Sequence, residues 1–230
     1  MKLLAIETST EACSAALCVG DALAWRHEER ARGHAERILP MVDELLGDAG
    51  LALAALDAIA FGRGPGGFTG LRLAASLVQG LAFGAGLRVV PISTLAAVAQ
   101  AALELDPDAA GVLVCNDARM HEVYWAGFMR DEAGLAVAAS PERVGPPAQV
   151  RMPEALSGCV VVGAGRGFAV YPEIAARMGA LRTVHDSLLP SAMAVVRLAV
   201  PELRAGRTVA PEAALPIYVR DDVARPAGAR

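Results

Sequence analysis

Over the first sixty residues, apolar and polar positions switch in short blocks; runs with helical spacing then take over. Residues 3–6 and 13–19 are apolar and separated by the polar stretch Glu7-Thr8-Ser9-Thr10-Glu11. Gly20-Asp21 then turns the chain into residues 22–28, so the pattern predicts a three-stranded meander. A helix is expected from Gly33-His34 to about Gly47, with Ile38, Val42, Leu45 and Leu46 on one face and Leu39 broadening it. Gly47 and Gly50 stop it. Strand 56–61, a glycine-rich turn, helix 70–85, strand 88–92 and helix 93–104 follow.

Helix 70–85 has two apolar sides. Leu71, Ala74, Val78 and Leu81 form one, and Leu73, Leu77, Gly80 and Gly84 form the other. A helix that is apolar all round has to be covered all round, either by a second layer of its own domain or by another chain.

Asp106-Pro107-Asp108 ends this series and a similar one begins. Residues 112–115 are apolar, Asn116-Asp117-Ala118-Arg119-Met120-His121-Glu122 is a polar turn, 123–129 returns, and Gly134 punctuates a third run at 135–139. Gly145-Pro146-Pro147 precedes a short helical stretch to Leu156. Strand 159–162 runs into Gly163-Ala164-Gly165-Arg166-Gly167, and Ser191 is placed to cap an amphipathic helix to Arg204. Both halves read strand, acidic polar turn, strand, third strand, helices. The fold class expected is a duplicated α/β architecture with an N-terminal domain over 1–105, a smaller C-terminal domain over 106–210 and a tail over 211–230, loose from Asp221 onward. Glu7 and Asp117 are expected in matching turns facing a cleft between the halves.

The glycine turn, Gly62-Arg63-Gly64-Pro65-Gly66-Gly67-Phe68-Thr69-Gly70-Leu71-Arg72, sits between a strand and a helix, where a backbone free of side chains can approach a ligand or its own neighbours. A phosphate-binding loop of the Walker type needs Gly-Lys-Ser/Thr, but Thr69-Gly70-Leu71 stands there and Lys2 is the only lysine of the chain. Gly62-x-Gly64-x-x-Gly67 has the letters of a dinucleotide fingerprint, which also asks for an acidic residue about 20 positions on. The next strand ends in Arg88-Val89-Val90-Pro91 and supplies none. A tight strand-to-helix turn is the simpler reading.

Composition narrows the function classes. The 230 residues are 54% hydrophobic with a net charge of −4, which suits a well-packed globular protein and argues against broad electrostatic binding of nucleic acid. Glu7 interrupts the first apolar run, and no run reaches the roughly 20 residues of a membrane span; a cytosolic protein without membrane contact is expected. Cys13, Cys18, Cys115 and Cys159 are dispersed and read as buried reduced thiols. His27, His34, His121 and His185 are dispersed too, so no metal site is visible. A peptidase reading lacks a Gly-x-Ser-x-Gly elbow.

Five segments together resemble the TsaB (YeaZ) family of tRNA threonylcarbamoyladenosine biosynthesis proteins. They are Ala5-Ile6-Glu7-Thr8-Ser9-Thr10, His34 with Leu39-Pro40, Gly64 to Arg72, Asp117-Ala118-Arg119-Met120-His121-Glu122-Val123-Tyr124, and Pro216-Ile217-Tyr218-Val219-Arg220. One departure is Gly67, where the family usually has serine. The resemblance implies an actin/Hsp70/sugar-kinase-like fold and a non-catalytic partner of a TsaD homologue, which carries the transferase chemistry on the adenosine beside the tRNA anticodon. A TsaE homologue, a second copy of this chain and, indirectly, tRNA are the other partners implied. ATP or ADP and metal belong to the complex, and no cofactor is expected on this chain alone. TsaD-type proteins hold metal through His-x-x-x-His after the strand that follows the glycine turn. Thr94 and Val98 stand there in this chain and cannot replace two imidazoles.

On this reading the helices near 34–47 and 70–85 pack against a partner, with Ile38, Leu39, Val42, Leu73, Leu77 and Gly80 as interface residues. The alternative is a nucleotide-hydrolysing or kinase-like enzyme using the cleft. There Glu7, Thr8, Asp117 and Arg119 would contact nucleotide, with Ser9 and residues 163–167 near phosphates and adenosine. Arg72 and Arg119 could instead contact tRNA or close internal salt bridges.

Overall fold

Alternation in the first 93 residues produces a five-stranded sheet. In the computed structural model, which describes residues 1–30 and 32–220, its strands are β1 (Lys2–Glu7), β2 (Ala12–Val19), β3 (Ala22–Glu29), β4 (Ala58–Gly64) and β5 (Arg88–Ser93), in the order β3-β2-β1-β4-β5. The first three are antiparallel; β4 and β5 join parallel to β1, each reached through a helix. Those helices are α1 (His34–Asp48) and α2 (Phe68–Ala85), and α3 (Thr94–Leu105) follows β5.

The second half repeats the plan. Its strands are β6 (Gly111–Arg119), β7 (Glu122–Arg130), β8 (Ala136–Ala138), β9 (Arg143–Gly145), β10 (Val161–Ala164) and β11 (Leu181–His185). They run β8-β7-β6-β10-β11, with β9 also on β7 and the same antiparallel and parallel assignments. The helices here are α4 (Gly167–Val170), α5 (Glu173–Met178) and α6 (Ala192–Arg204). This is the duplicated α/β fold that the sequence pattern implies.

Side-chain alternation along each strand sorts the core into layers. Leu4, Ile6, Ile59 and Phe61 face α1 and α2 on the outside of the first sheet. Leu3, Ala5, Ala58 and Ala60 face inward, where α3 and α6 lie between the two sheets, against Val112, Val114, Ala126 and Phe128 of the second. Leu113, Cys115, Val123 and Trp125 cover the far side under α4 and α5. The middle layer is rich in alanine (Ala97, Ala99, Ala102, Ala194 and Ala199 among others), and such small side chains let two helices fit between two sheets. Ser93 and Ser191 cap these two helices, accepting the amides of Ala96 and Ala194. The sheets fall within 1–105 and 106–210, but α3 packs on β6 and α6 on β1, so the halves share one interior.

Two interface expectations are corrected. Ile38 and Val42 are 0% and 2% exposed and belong to the core between α1 and the sheet, because the apolar face they share with Leu45 and Leu46 is the one that meets β2. They are not surface residues. Leu39 is exposed, Leu73 and Leu77 are half-buried, and Gly80 is exposed. Residues 211–220, the first part of the expected tail, dock onto the fold: Ala214 is buried in the outer core, Ile217 N–H donates to the Arg63 carbonyl at 2.7 Å, and the Arg220 guanidinium pairs with Glu122. The loose tail expected from Asp221 onward lies outside the described residues.

Candidate functional site

The glycine turn approaches its own chain. A Cβ on Gly62 would stand 1.7 Å from Glu7 Oε2, one on Gly66 2.7 Å from the Ser9 carbonyl, and one on Gly70 1.9 Å from the Thr8 carbonyl. Gly67 N–H donates to the Ser9 carbonyl at 2.7 Å, and the Thr8 hydroxyl donates to the Gly70 carbonyl at 2.8 Å. The β1–β2 turn therefore fills the space that the missing side chains leave, and the glycines are required by backbone packing.

Glu7 is enclosed by this contact. It is 0% exposed, its Oε1 accepts the Ser9 amide at 2.6 Å and its Oε2 has no partner among the described residues. Burial raises its pKa, and the hydrogen bonding at Ser9 offsets only part of that. A carboxyl in this position is an interior group and not the cleft-facing metal or water ligand that the enzyme reading requires. Thr8 is 1% exposed and committed to Gly70. This corrects the expectation that Glu7 presents itself to a nucleotide.

Asp117 and Arg119 lie at the end of β6, in a hairpin turn where Arg119, Met120 and His121 all have positive φ (61°, 54° and 59°). Asp117 Oδ1 accepts the Arg119 amide at 2.9 Å, and the Arg119 guanidinium reaches Asp117 at 3.0 Å and Glu11 of the first half at 2.8 Å. Arg166 also approaches Glu11, at 3.8 Å, and pairs with Glu29. The two arginines tie the mouths of the halves together. Arg72 is committed as well: it lies 3.7 Å over the Phe68 ring and donates to the Tyr218 hydroxyl at 3.0 Å.

The structure brings residues 8–11, 32–36, 65–71, 116–119 and 217–220 around one open groove of about 740 Å³. Thr8, Asp117 and Arg119 of the expected nucleotide contacts line it, whereas Glu7 does not. The sequence reading assigned no role to Arg32, Asn116, Tyr218 or Arg220, which also line it. Asn116 was findable: in β6 it follows Val112 and Val114 at the inward-facing spacing, where a polar side chain is out of place. It is 6% exposed, and neither amide atom has a partner among the described residues.

At the position of the implied metal ligands, Thr94 and Val98 are both fully buried; the Thr94 Oγ1 accepts the Gly64 amide at 3.2 Å. Among the described residues no group of three His, Cys, Asp or Glu is placed to hold a metal ion.

The surface beside the groove is apolar. Leu39 of α1 and Gly80, Phe83 and Gly84 of α2 are exposed, with Phe83 at 79%, while Leu73 and Leu77 are half-buried beside them and Leu77 also packs on the outer core. A Cβ at Gly80 or Gly84 would meet nothing within 4 Å among the described residues.

Comparison with known proteins gives a consistent picture. A family model described as TsaD, tRNA N6-adenosine threonylcarbamoyltransferase, matches residues 27–227. The tRNA threonylcarbamoyladenosine biosynthesis protein TsaB of Escherichia coli is 41% identical over 226 residues, covering 97% of this chain and 96% of that protein. TsaB of Haemophilus influenzae is 41% identical over 230 residues, covering 97% and 95%. Among solved structures, YeaZ from Pseudomonas aeruginosa superposes with a TM-score of 0.87 at 44% identity, covering 94% of this chain and 99% of that one. A second Pseudomonas aeruginosa structure, of a protein with similarity to peptidase YeaZ, gives 0.89 at 44% identity, covering 95% and 99%.

Proposed function

The chain belongs to the TsaB (YeaZ) family of tRNA threonylcarbamoyladenosine biosynthesis proteins, and from that premise we propose that it acts as a non-catalytic partner subunit of a TsaD homologue. The observation that carries this reading is the stripe formed by Leu39, Leu73, Leu77, Gly80, Phe83 and Gly84. On α2 these positions recur three or four residues apart, the spacing of one helix face. Bulky apolar residues alternate along it with glycines, so a second helix can dock close to the backbone while Leu and Phe side chains fill the flanks. Covering the exposed remainder of Leu39, Leu73 and Leu77 would contribute only a fraction of the roughly 1.5–3 kcal/mol that full burial of an exposed leucine gives, before association costs.

The interior of the first half supports the same division of labour. With Glu7 sequestered, Thr8 hydrogen-bonded internally, and Thr94 and Val98 at the implied metal-ligand positions, this chain contributes surface while the TsaD homologue contributes metal, nucleotide and transfer chemistry. A TsaE homologue and a second copy of this chain are further partners; tRNA is reached through the complex, in the cytoplasm. Among the described residues no helix is long and apolar enough to cross a membrane.

Co-expression with a TsaD homologue followed by size-exclusion chromatography tests the proposal. A stable stoichiometric complex is expected. Two separate peaks with and without nucleotide would count against it, as would tRNA modification by this chain unaided.

A further inference from the structure

We propose that residues 215–220 form a releasable strap. It ties the two halves together beside the groove, opens without unfolding of either half, and on opening joins the groove to a neighbouring cavity. This inference does not rest on the partner reading and is tested on the isolated chain.

After α6 the chain crosses back to the first half, where Val209 bridges Val89 of β5 and Ala214 is buried in the outer core. Gln79 of α2 donates to the Ala214 carbonyl at 3.2 Å and completes a root. Residues 216–220, the last of the five segments singled out in the sequence, then run over to the second half. Tyr218 is the clasp on the first half: its ring lies 5.8 Å from that of Phe68, and its hydroxyl accepts Arg72 Nε at 3.0 Å. Arg220 is the clasp on the second half. It donates to the Ala118 carbonyl at 3.1 Å and pairs with Glu122 at the start of β7.

Little else holds the segment down. Among the described residues, the bond from Ile217 N–H to the Arg63 carbonyl is the one backbone–backbone hydrogen bond that residues 216–220 make, and Pro216 has no N–H to give. Leu215, Ile217 and Tyr218 are 60%, 44% and 42% exposed, and no residue from 215 to 220 is buried. The strap lies on Gly64, where a Cβ would stand 2.7 Å from the Ile217 carbonyl. Beneath it, Ile59 and Phe61 of β4 are fully buried and laddered on both sides. Segments with few buried apolar contacts and few backbone bonds open locally, far below the cost of global unfolding.

The strap is also a partition. Ile217 and Val219 line both the groove and a second cavity of about 460 Å³. In that second cavity Glu142 of the second half accepts the Ser93 hydroxyl and lies 3.3 Å from Arg63. These contacts and the shared packing of α3 and α6 keep the halves joined when the strap lifts. Release therefore removes a wall without parting the sheets, and it uncovers Phe68 and Arg72 at the start of α2.

The test is amide exchange of the full chain, resolved by NMR at several urea concentrations below the unfolding transition. The Ile217 amide is expected to exchange by local opening, at a rate insensitive to urea, while Ile59 and Phe61 follow global unfolding. Glu122→Gln and Tyr218→Ala each remove one clasp and should quicken Ile217 exchange about tenfold, with β4 protection and melting temperature unchanged. Ala96→Cys places a thiol in the second cavity, and its alkylation, followed at that site by peptide mapping, should quicken in step when Glu122→Gln is added. Exchange of Ile217 only together with β4 would overturn the proposal, as would unchanged Ile217 exchange in both variants. A lowered melting temperature in both would make the strap part of the cooperative fold. Alkylation indifferent to the clasp would show that the strap is not the wall between the cavities.

Discussion

Residues 62–70 and residues 163–167 stand at corresponding places in the two halves, and they lead to different ends. Each stands at the end of the first strand parallel to the central one, β4 or β10, and each presses glycines against that central strand or the turn that follows it. Gly66 and Gly70 meet the Ser9 and Thr8 carbonyls; Gly165 and Gly167 meet the Cys115 carbonyl, where a Cβ would stand 2.5 and 2.7 Å away. The first turn then launches an 18-residue helix with an apolar outer stripe, whereas the second launches one of four residues. Close glycine packing therefore belongs to the duplicated fold, since both halves need it. The long helices are what the first half adds, and the proposed partner surface lies on them.

The comparison can be broken first at the glycines. Gly70→Ala places a Cβ 1.9 Å from a backbone carbonyl that cannot move without shifting β1, so a loss of about 3–5 kcal/mol is expected in urea unfolding. Gly167→Ala should behave similarly. If either variant unfolds like the parent, the shared packing is not what fixes these turns.

Glu7 sharpens the contrast, because the inward residue at the corresponding end of β6 is the neutral Asn116. Glu7 has an ordinary carboxyl value of 4.5 when unfolded and a raised one when folded. Between the two the native state binds a proton that the unfolded chain has released, so stability falls as pH rises through that window and then levels off. Glu7→Gln should remove this decline and be the more stable protein at pH 8, measured by denaturant unfolding at several pH values. An unchanged slope would mean that the carboxyl is ionised in the fold.

The smallest effect is expected in the β6–β7 turn, which uses three consecutive left-handed residues where β1–β2 uses none. Met120→Gly relieves one of them at an exposed site and should raise stability by about 1 kcal/mol. A thermal melt showing destabilisation would point to a contact of Met120 that matters more than its backbone.

Much of this architecture could be read from the chain, for specific reasons. Period-two alternation and the glycine and proline punctuation located the strands, and the repeat of strand, acidic turn, strand revealed the duplication. Helical phase could not do as much: it showed that α2 is apolar on two sides and α1 broadly so, but which side meets a sheet depends on strands far away in sequence. That is why Leu39, Leu73, Leu77 and Gly80 reach the surface region while Ile38 and Val42 are core. Glu7 was misplaced for the same reason. A carboxylate after an apolar run reads as a turn residue, and only Gly62, 55 positions on, makes room to bury it. The segment 211–220 carried little periodicity, so its docking onto Arg63 and Glu122 was invisible.

The central claim, that the outer stripe of α1 and α2 is the working surface, is tested most directly at Gly80. It is exposed, a Cβ there meets nothing within 4 Å among the described residues, and replacing a helical glycine costs the monomer nothing. Calorimetric titration of a TsaD homologue with wild type and with Gly80→Arg should show saturable one-to-one binding for the first and none for the second, at equal or higher melting temperature. Binding of Gly80→Arg with wild-type affinity would contradict the account.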